Sequence, residues 1–143
     1  MKTVPVLEHV SIWVKEGQTN NTVELFQTLG WKSWPNREGF WGTGSARFVY
    51  CPVGGVYLQL TEETGQEFES SGSARHIALA GDVQEMLESI RLWAEVHDFF
   101  VLSEMVGGGK FMVILPDLFE GAIELVHEVH PDLANLVSMQ TKQ

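Results

Sequence analysis

Apolar and polar positions alternate from Leu7 to Val14, the period-two signature of a half-buried strand. The spacing then changes. Asn20 or Asn21 can cap a helix over Thr22 to Leu29 that stops at Gly30, with Val23, Phe26 and Leu29 turned to the core. Three further strands are predicted, at Trp31 to Trp34, Ala46 to Cys51 and Val56 to Glu62, the last two joined by the tight Pro52-Val53-Gly54-Gly55 turn. Arg37 to Gly44 reads as a loop. The same order follows again: a strand from His76, a helix over Val83 to Val96, then strands at Phe99 to Glu104, Phe111 to Leu115 and Ala122 to Val129. On the second helix Met86, Leu87, Ile90 and Trp93 or Ala94 form one apolar face.

The recurrence extends to the residues. Glu8-His9-Val10-Ser11-Ile12 returns 67 residues later as Arg75-His76-Ile77-Ala78-Leu79. Tyr57-Leu58-Gln59-Leu60-Thr61-Glu62-Glu63 returns 65 residues later as Ala122-Ile123-Glu124-Leu125-Val126-His127-Glu128. Two matches at nearly one offset predict a duplicated unit. The expected fold class is α+β, with two tandem βαβββ modules forming a curved, cup-shaped mixed sheet and the helices outside. Residues 1–143 are read as a single domain: module one at 1–63, a Gly-, Ser- and Glu-rich linker at 64–73, module two at 74–130 and a tail at 131–143. Leu133, Leu136 and Val137 could dock the tail onto the body or onto a second subunit.

Charge narrows the partners. Nine Lys plus Arg against nineteen Asp plus Glu give a formal net charge of -10, so nucleic acid and anionic membranes are excluded as expected partners. The single cysteine excludes an internal disulfide framework and a multi-cysteine zinc site, and suits a reducing compartment. No run of signal-peptide or membrane-spanning character is evident, and the expectation is a cytoplasmic protein.

Successive strand residues face opposite ways, so polar residues inside apolar strands mark the face away from the core. Gln59 lies opposite Leu58 and Leu60, and Glu124 lies opposite Ile123 and Leu125. His9, Ser11 and Trp13 oppose Val10, Ile12 and Val14, and His76 opposes Ile77 and Leu79. If the modules pack edge to edge, two imidazoles, a carboxylate and an amide oxygen converge in one cup. That donor set suits a single divalent ion, Mn, Fe(II), Co, Ni or Zn, with positions left for substrate. One strand histidine alone is ordinarily a hydrogen-bonded core residue. Equivalent places in two repeats favour the paired role for His9 and His76.

Other features read more simply. His127 and His130 sit at a strand end beside Pro131 and are assigned to the surface. Gly107-Gly108-Gly109-Lys110 is a turn, since Glu104 and Phe111 break the phosphate-loop pattern. Cys51 is a small strand hydrophobe without a local activator. Glu62, Glu63, Glu67 and Glu69 form a solvated acidic rim. Most of Trp31, Trp34, Phe40 and Trp41 are core or interface residues. Trp13, two residues beyond His9, is placed with Ser11 and Tyr57 in the walls of a substrate pocket.

These pieces resemble the vicinal oxygen chelate superfamily, which includes glyoxalase I, methylmalonyl-CoA epimerase, extradiol dioxygenases, fosfomycin-resistance enzymes and bleomycin-binding proteins. The resemblance rests on His9-Val10-Ser11-Ile12 before a helix ending Leu29-Gly30-Trp31, on Val56 to Leu60, on Arg75 to Leu79, and on Pro116 to Leu125. It implies metal ligands from the first and last strand of each module: His9, Gln59, His76 and Glu124. Gln59 stands where bacterial glyoxalase I usually has glutamate, while some methylmalonyl-CoA epimerases have glutamine there. The family's Asp-Pro-Asp-Gly turn is replaced by the longer Pro116 to Gly121.

The expected function is a metal-dependent isomerase or lyase that stabilises an enediolate or enolate of a small oxygenated substrate, with Glu124 as catalytic base. The alternatives are an Fe(II) extradiol-type dioxygenase using His9, His76 and Glu124, a fosfomycin-type thiol transferase, and a non-catalytic binding protein for an antibiotic-like molecule. The resemblance and the abundance of aromatics also imply a homodimer.

Overall fold

The computed structural model describes residues 3–5, 7, 9–34, 47–54, 56–63 and 75–127. The linker at 64–73, the tail at 131–143, the whole Arg37 to Gly44 loop with Phe40 and Trp41, Glu67, Glu69, His130 and the last residues of the final expected strand lie outside them.

Two modules follow one another with the same element order. The first runs β1 (His9–Lys15), α1 (Thr19–Thr28), β2 (Lys32–Trp34), β3 (Arg47–Tyr50) and β4 (Tyr57–Glu63). The second runs β5 (His76–Ala80), α2 (Val83–Val96), β6 (Leu102–Met105), β7 (Phe111–Ile114) and β8 (Ala122–Val126). Each makes a four-stranded mixed sheet, in the orders β1-β4-β3-β2 and β5-β8-β7-β6. The first and last strand of each module run parallel, because the helix between them provides the crossover, and the remaining pairs are antiparallel. The expected α+β class and tandem βαβββ plan are therefore observed. Among the described residues no strand ladder joins the two sheets, in which β1 and β5 are both terminal strands.

Their connection comes from the turn before β8. The Lys15 N–H donates to the Leu118 carbonyl at 2.9 Å, and the Glu120 N–H donates to the Trp13 carbonyl at 2.9 Å. Val14 and Phe119 form the bridge between these bonds. The longer Pro116 to Gly121 turn thus supplies backbone partners to one end of β1. Both modules then share one core, in which Val14, Leu60, Phe26 and Val49 join Leu118, Ile123, Leu125 and Ile90.

Local chemistry explains the helix limits. Asp82 caps α2, its Oδ1 accepting from the Glu85 N–H at 3.1 Å, and the helix covers the expected residues. Helix α1 begins at Thr19, three residues before the expected start, with Gln18 at its N-cap. The Thr22 hydroxyl donates to the Gln18 carbonyl and Asn21 Nδ2 donates to Gln18 Oε1, so Asn21 stabilises this turn from inside it. Leu25 joins Val23 and Phe26 in the core. β6 starts at Leu102 and not at Phe99, because the Phe99 N–H returns to the Ala94 carbonyl at 2.8 Å and its ring stacks on Trp93.

No helix among the described residues is long and apolar enough to cross a membrane.

Candidate functional site

The candidate residues occupy matching register positions. In module one His9 is opposite Tyr57 and Ser11 is opposite Gln59; in module two His76 is opposite Ala122 and Ala78 is opposite Glu124. Each histidine therefore opens its strand, and each second donor lies one same-face step further along the parallel partner. The equivalence continues across the sheets: Gln59 faces Phe48 on β3, and Glu124 faces Met112 on β7.

In module two this register brings the side chains together. His76 Nε2 lies 3.5 Å from Glu124 Oε2. Alternation places them there, since Ile123 and Leu125 on either side of Glu124 are fully buried while Glu124 keeps partial access to solvent. Ala78 and Ala122 are small, leaving room around the pair. In module one the corresponding space is aromatic. The His9 ring meets Phe48 edge-on at 5.8 Å, and Tyr57 lies beside Tyr50 at 5.6 Å. Ser11 and Thr61 share a hydroxyl–hydroxyl hydrogen bond of 3.1 Å on the same face.

The His76–Glu124 separation fits two donors of one coordination sphere, for which metal–ligand bonds near 2.0–2.2 Å give donor–donor distances of about 3 to 3.5 Å. An imidazole and a carboxylate are also the right chemistry for a borderline dication. Among the described residues no group of three His, Cys, Asp or Glu is gathered closely enough to hold a metal, so His9 is not drawn into one cluster with His76 and Glu124. Among the described residues no ladder pairs the two histidine-bearing strands β1 and β5.

A cleft of about 350 Å³ occupies that junction. Val10, Ile12, Trp13, Ile77, Phe119 and Ala122 give it apolar walls, and Ser11, Arg75, His76 and Glu120 contribute its polar groups. Ser11 and Trp13 are among the residues that line this cleft, and Tyr57 packs on Tyr50. Val10 was assigned to the core face, yet it is 39% exposed, because β1 lies at the sheet edge.

Arg75 and Glu120 were not singled out from the sequence. They form a hydrogen-bonded ion pair beside His76, with the carboxylate 13% exposed and the guanidinium 66% exposed. Both precede strands, where alternation gives no direction. The available signal was the glycine after Glu120. Gly121 has φ +87°, and a Cβ there would stand 2.5 Å from the Arg75 carbonyl oxygen, so close passage of the two chains requires glycine.

Other expectations meet the structure directly. Gly107, Gly108 and Gly109 all have positive φ and form the turn from β6 to β7. His127 is exposed, Cys51 is half-buried, and Glu62 accepts a 2.7 Å hydrogen bond from Thr19.

No protein-family model and no curated protein matches the sequence. Solved structures do match. A possible glyoxalase from Bacillus cereus is 15% identical over 86% of this chain and 99% of its own, with a TM-score of 0.56. The fosfomycin resistance protein FosX from Listeria monocytogenes, complexed with Mn(II) and sulfate, is 14% identical over 94% of this chain and 99% of its own, with a TM-score of 0.60. TnmS3, an antibiotic binding protein from Streptomyces sp. CB03234, is 15% identical over 88% of this chain and 98% of its own, with a TM-score of 0.57. At such identities the likeness is one of fold. With its paired βαβββ modules and these structural matches, the chain has the fold of the vicinal oxygen chelate superfamily, of which the glyoxalases and FosX are members.

Proposed function

We propose that this protein is a divalent-metal-dependent isomerase or lyase acting on a small oxygenated substrate, with His9, Gln59, His76 and Glu124 as ligands and Glu124 also as catalytic base. The observation that carries the reading is the shared register of the two histidine-and-donor pairs, together with the 3.5 Å approach of His76 to Glu124. A metal-binding fold relative, FosX with Mn(II), supports the choice of a divalent ion.

When bound, the ion would act as a Lewis acid toward adjacent substrate oxygens. Two imidazoles, one amide and one carboxylate leave a dication with a net formal charge of +1, which favours an anionic substrate oxygen. In this reading the Glu124 carboxylate takes the proton next to a substrate carbonyl and returns it. Its fully buried neighbours Ile123 and Leu125 fix the strand that carries it, so the carboxylate arrives pre-positioned. Trp13 and Phe119 would keep bulk water from one side of the substrate.

We further propose one domain over residues 1–143 that works as a homodimer. The direct test is metal titration of anaerobically purified protein, followed by assay of metal-loaded protein for exchange of the hydrogen next to the carbonyl in small α-hydroxy ketones and thiohemiacetals. One ion per chain that is lost in His76→Ala supports the reading. Equally tight metal binding in the parent, His9→Ala and His76→Ala proteins refutes the site.

The second reading is a non-catalytic small-molecule binder. The cleft at the sheet junction favours it, as does the likeness to an antibiotic binding protein. Ligand retention by protein that takes up no metal would select it.

A further inference from the structure

The cleft between β1 and β5 combines an extended apolar wall with one guanidinium. Val10, Ile12, Trp13, Ile77 and Phe119 form the wall, and among the described residues Arg75 is the only lysine or arginine in the lining. Its volume of about 350 Å³ falls in the range of small-molecule sites, about 300–1,000 Å³. In a protein with a formal net charge of -10, Arg75 is the one basic group among the described lining residues that can recognise an anion.

Arg75 is held for that purpose. A guanidinium has five N–H donors in a fixed plane, and Glu120 accepts from Nη1. Glu120 is in turn fixed through its backbone, whose N–H donates to the Trp13 carbonyl. Arg75 is therefore oriented by a largely buried carboxylate while most of its surface remains open to solvent. Such an arrangement can take a second oxyanion through the remaining donors without breaking the first pair. Trp13, 41% exposed in the same lining, offers a flat apolar surface beside it.

We propose that Arg75 is a specificity-determining residue that selects organic anions, small molecules with one oxyanion and a flat apolar body covering Trp13. The oxyanion binds the free edge of Arg75, and the body lies along Val10, Ile12, Ile77 and Phe119. This deepens the metal-enzyme reading, and rests on it, in taking the His76 end of the cleft as the reacting end.

The test uses full-length, metal-free protein and three probes: 2-naphthoate, naphthalene-2-phosphonate and neutral 2-naphthalenemethanol. Affinities come from calorimetry, and location comes from NMR shifts of Trp13, Ile77 and Phe119. At least one anion is expected to bind about tenfold or more tightly than the alcohol, the scale of a charge-assisted hydrogen bond, and to shift these three residues. The tighter anion identifies the headgroup. Arg75→Met would leave Glu120 uncompensated and could fold poorly, so the decisive variant is Arg75→Met with Glu120→Gln, which removes both charges. In it the anion and alcohol affinities should become equal. Equal affinities in the parent, a preference that survives the double substitution, or binding that leaves Trp13, Ile77 and Phe119 unmoved would each overturn the proposal. Mn(II) titration separates the two readings: the double variant should bind the ion like the parent, and a parent that binds anions but no Mn(II) refutes the enzyme reading while leaving Arg75 as the selector of a binding protein.

Discussion

The two modules place their key residues by the same register and surround them differently. On the face that carries the candidate ligands, module one pairs Ser11 with Gln59 and then Phe48; module two pairs Ala78 with Glu124 and then Met112. The backbone is duplicated, while chemistry is divided. Module two supplies a carboxylate flanked by Ala78 and Met112, and module one supplies a neutral amide with aromatic neighbours. A dication should depend chiefly on module two, whereas the shape of the bound molecule should depend chiefly on module one.

Substitutions can break that division. The largest expected effect is at Glu124→Gln, which leaves the backbone intact but removes the only carboxylate of the four donors. Metal affinity should fall by more than the about 10–100-fold lost when a mere supporting residue is changed, as read by titration with Mn(II) or Zn(II). An unchanged affinity would remove module two from its leading role. A second large effect is expected where the turn before β8 passes the start of β5 inside module two. Gly121→Ala should cost about 1–3 kcal/mol from its left-handed backbone alone, with the clash against Arg75 added, whereas Gly54→Ala meets no atom within 4 Å and carries only the backbone strain. Denaturant melts of the two variants give the comparison, and equal losses would mean that the close passage of 121 past 75 is unimportant.

Converting module one toward module two is the sharper and milder experiment. Gln59→Glu should retain the metal and weaken an anionic substrate by lowering the net charge of the loaded site, by about tenfold if the change is worth about 1.4 kcal/mol. Calorimetry on the metal-loaded variant reads this directly, and stronger anion binding would contradict the charge argument. The smallest effect is expected at Ser11→Ala. Its hydrogen bond to Thr61 is exposed, so stability should change by no more than about 0.5 kcal/mol in a thermal melt.

What could be read from the sequence followed from periodicity. The second helix was legible because its apolar face recurs cleanly through Trp93 and Ala94. The His76–Glu124 meeting was legible for a related reason: parallel strands keep same-face residues on one side, so alternation in each strand sufficed. The early start of α1 was hidden because Gln18 is a weak capping residue and the turn is stabilised by Thr22 and Asn21 from within. The junction between sheets was hidden more deeply. Alternation says which way a strand faces and not which edge it meets, so it could not locate the cleft that lies between the two four-stranded sheets. Arg75 and Glu120 fell outside any periodic segment and could be recognised only after folding brought them together.

The bridge between Val14 and Phe119 also has a consequence for the order of assembly. Within each module the sheet closes on strands of that module alone, whereas this bridge joins a residue near one end of the described chain to one near the other. Closing the longer loop has the greater entropic cost, and contacts of that kind delay folding. The sheets should therefore form first and the junction last. Amide exchange at Lys15 and Glu120, whose N–H groups make the joining bonds, would then be faster than at Leu60 or Leu125, and the cleft would be the first part of the molecule to loosen.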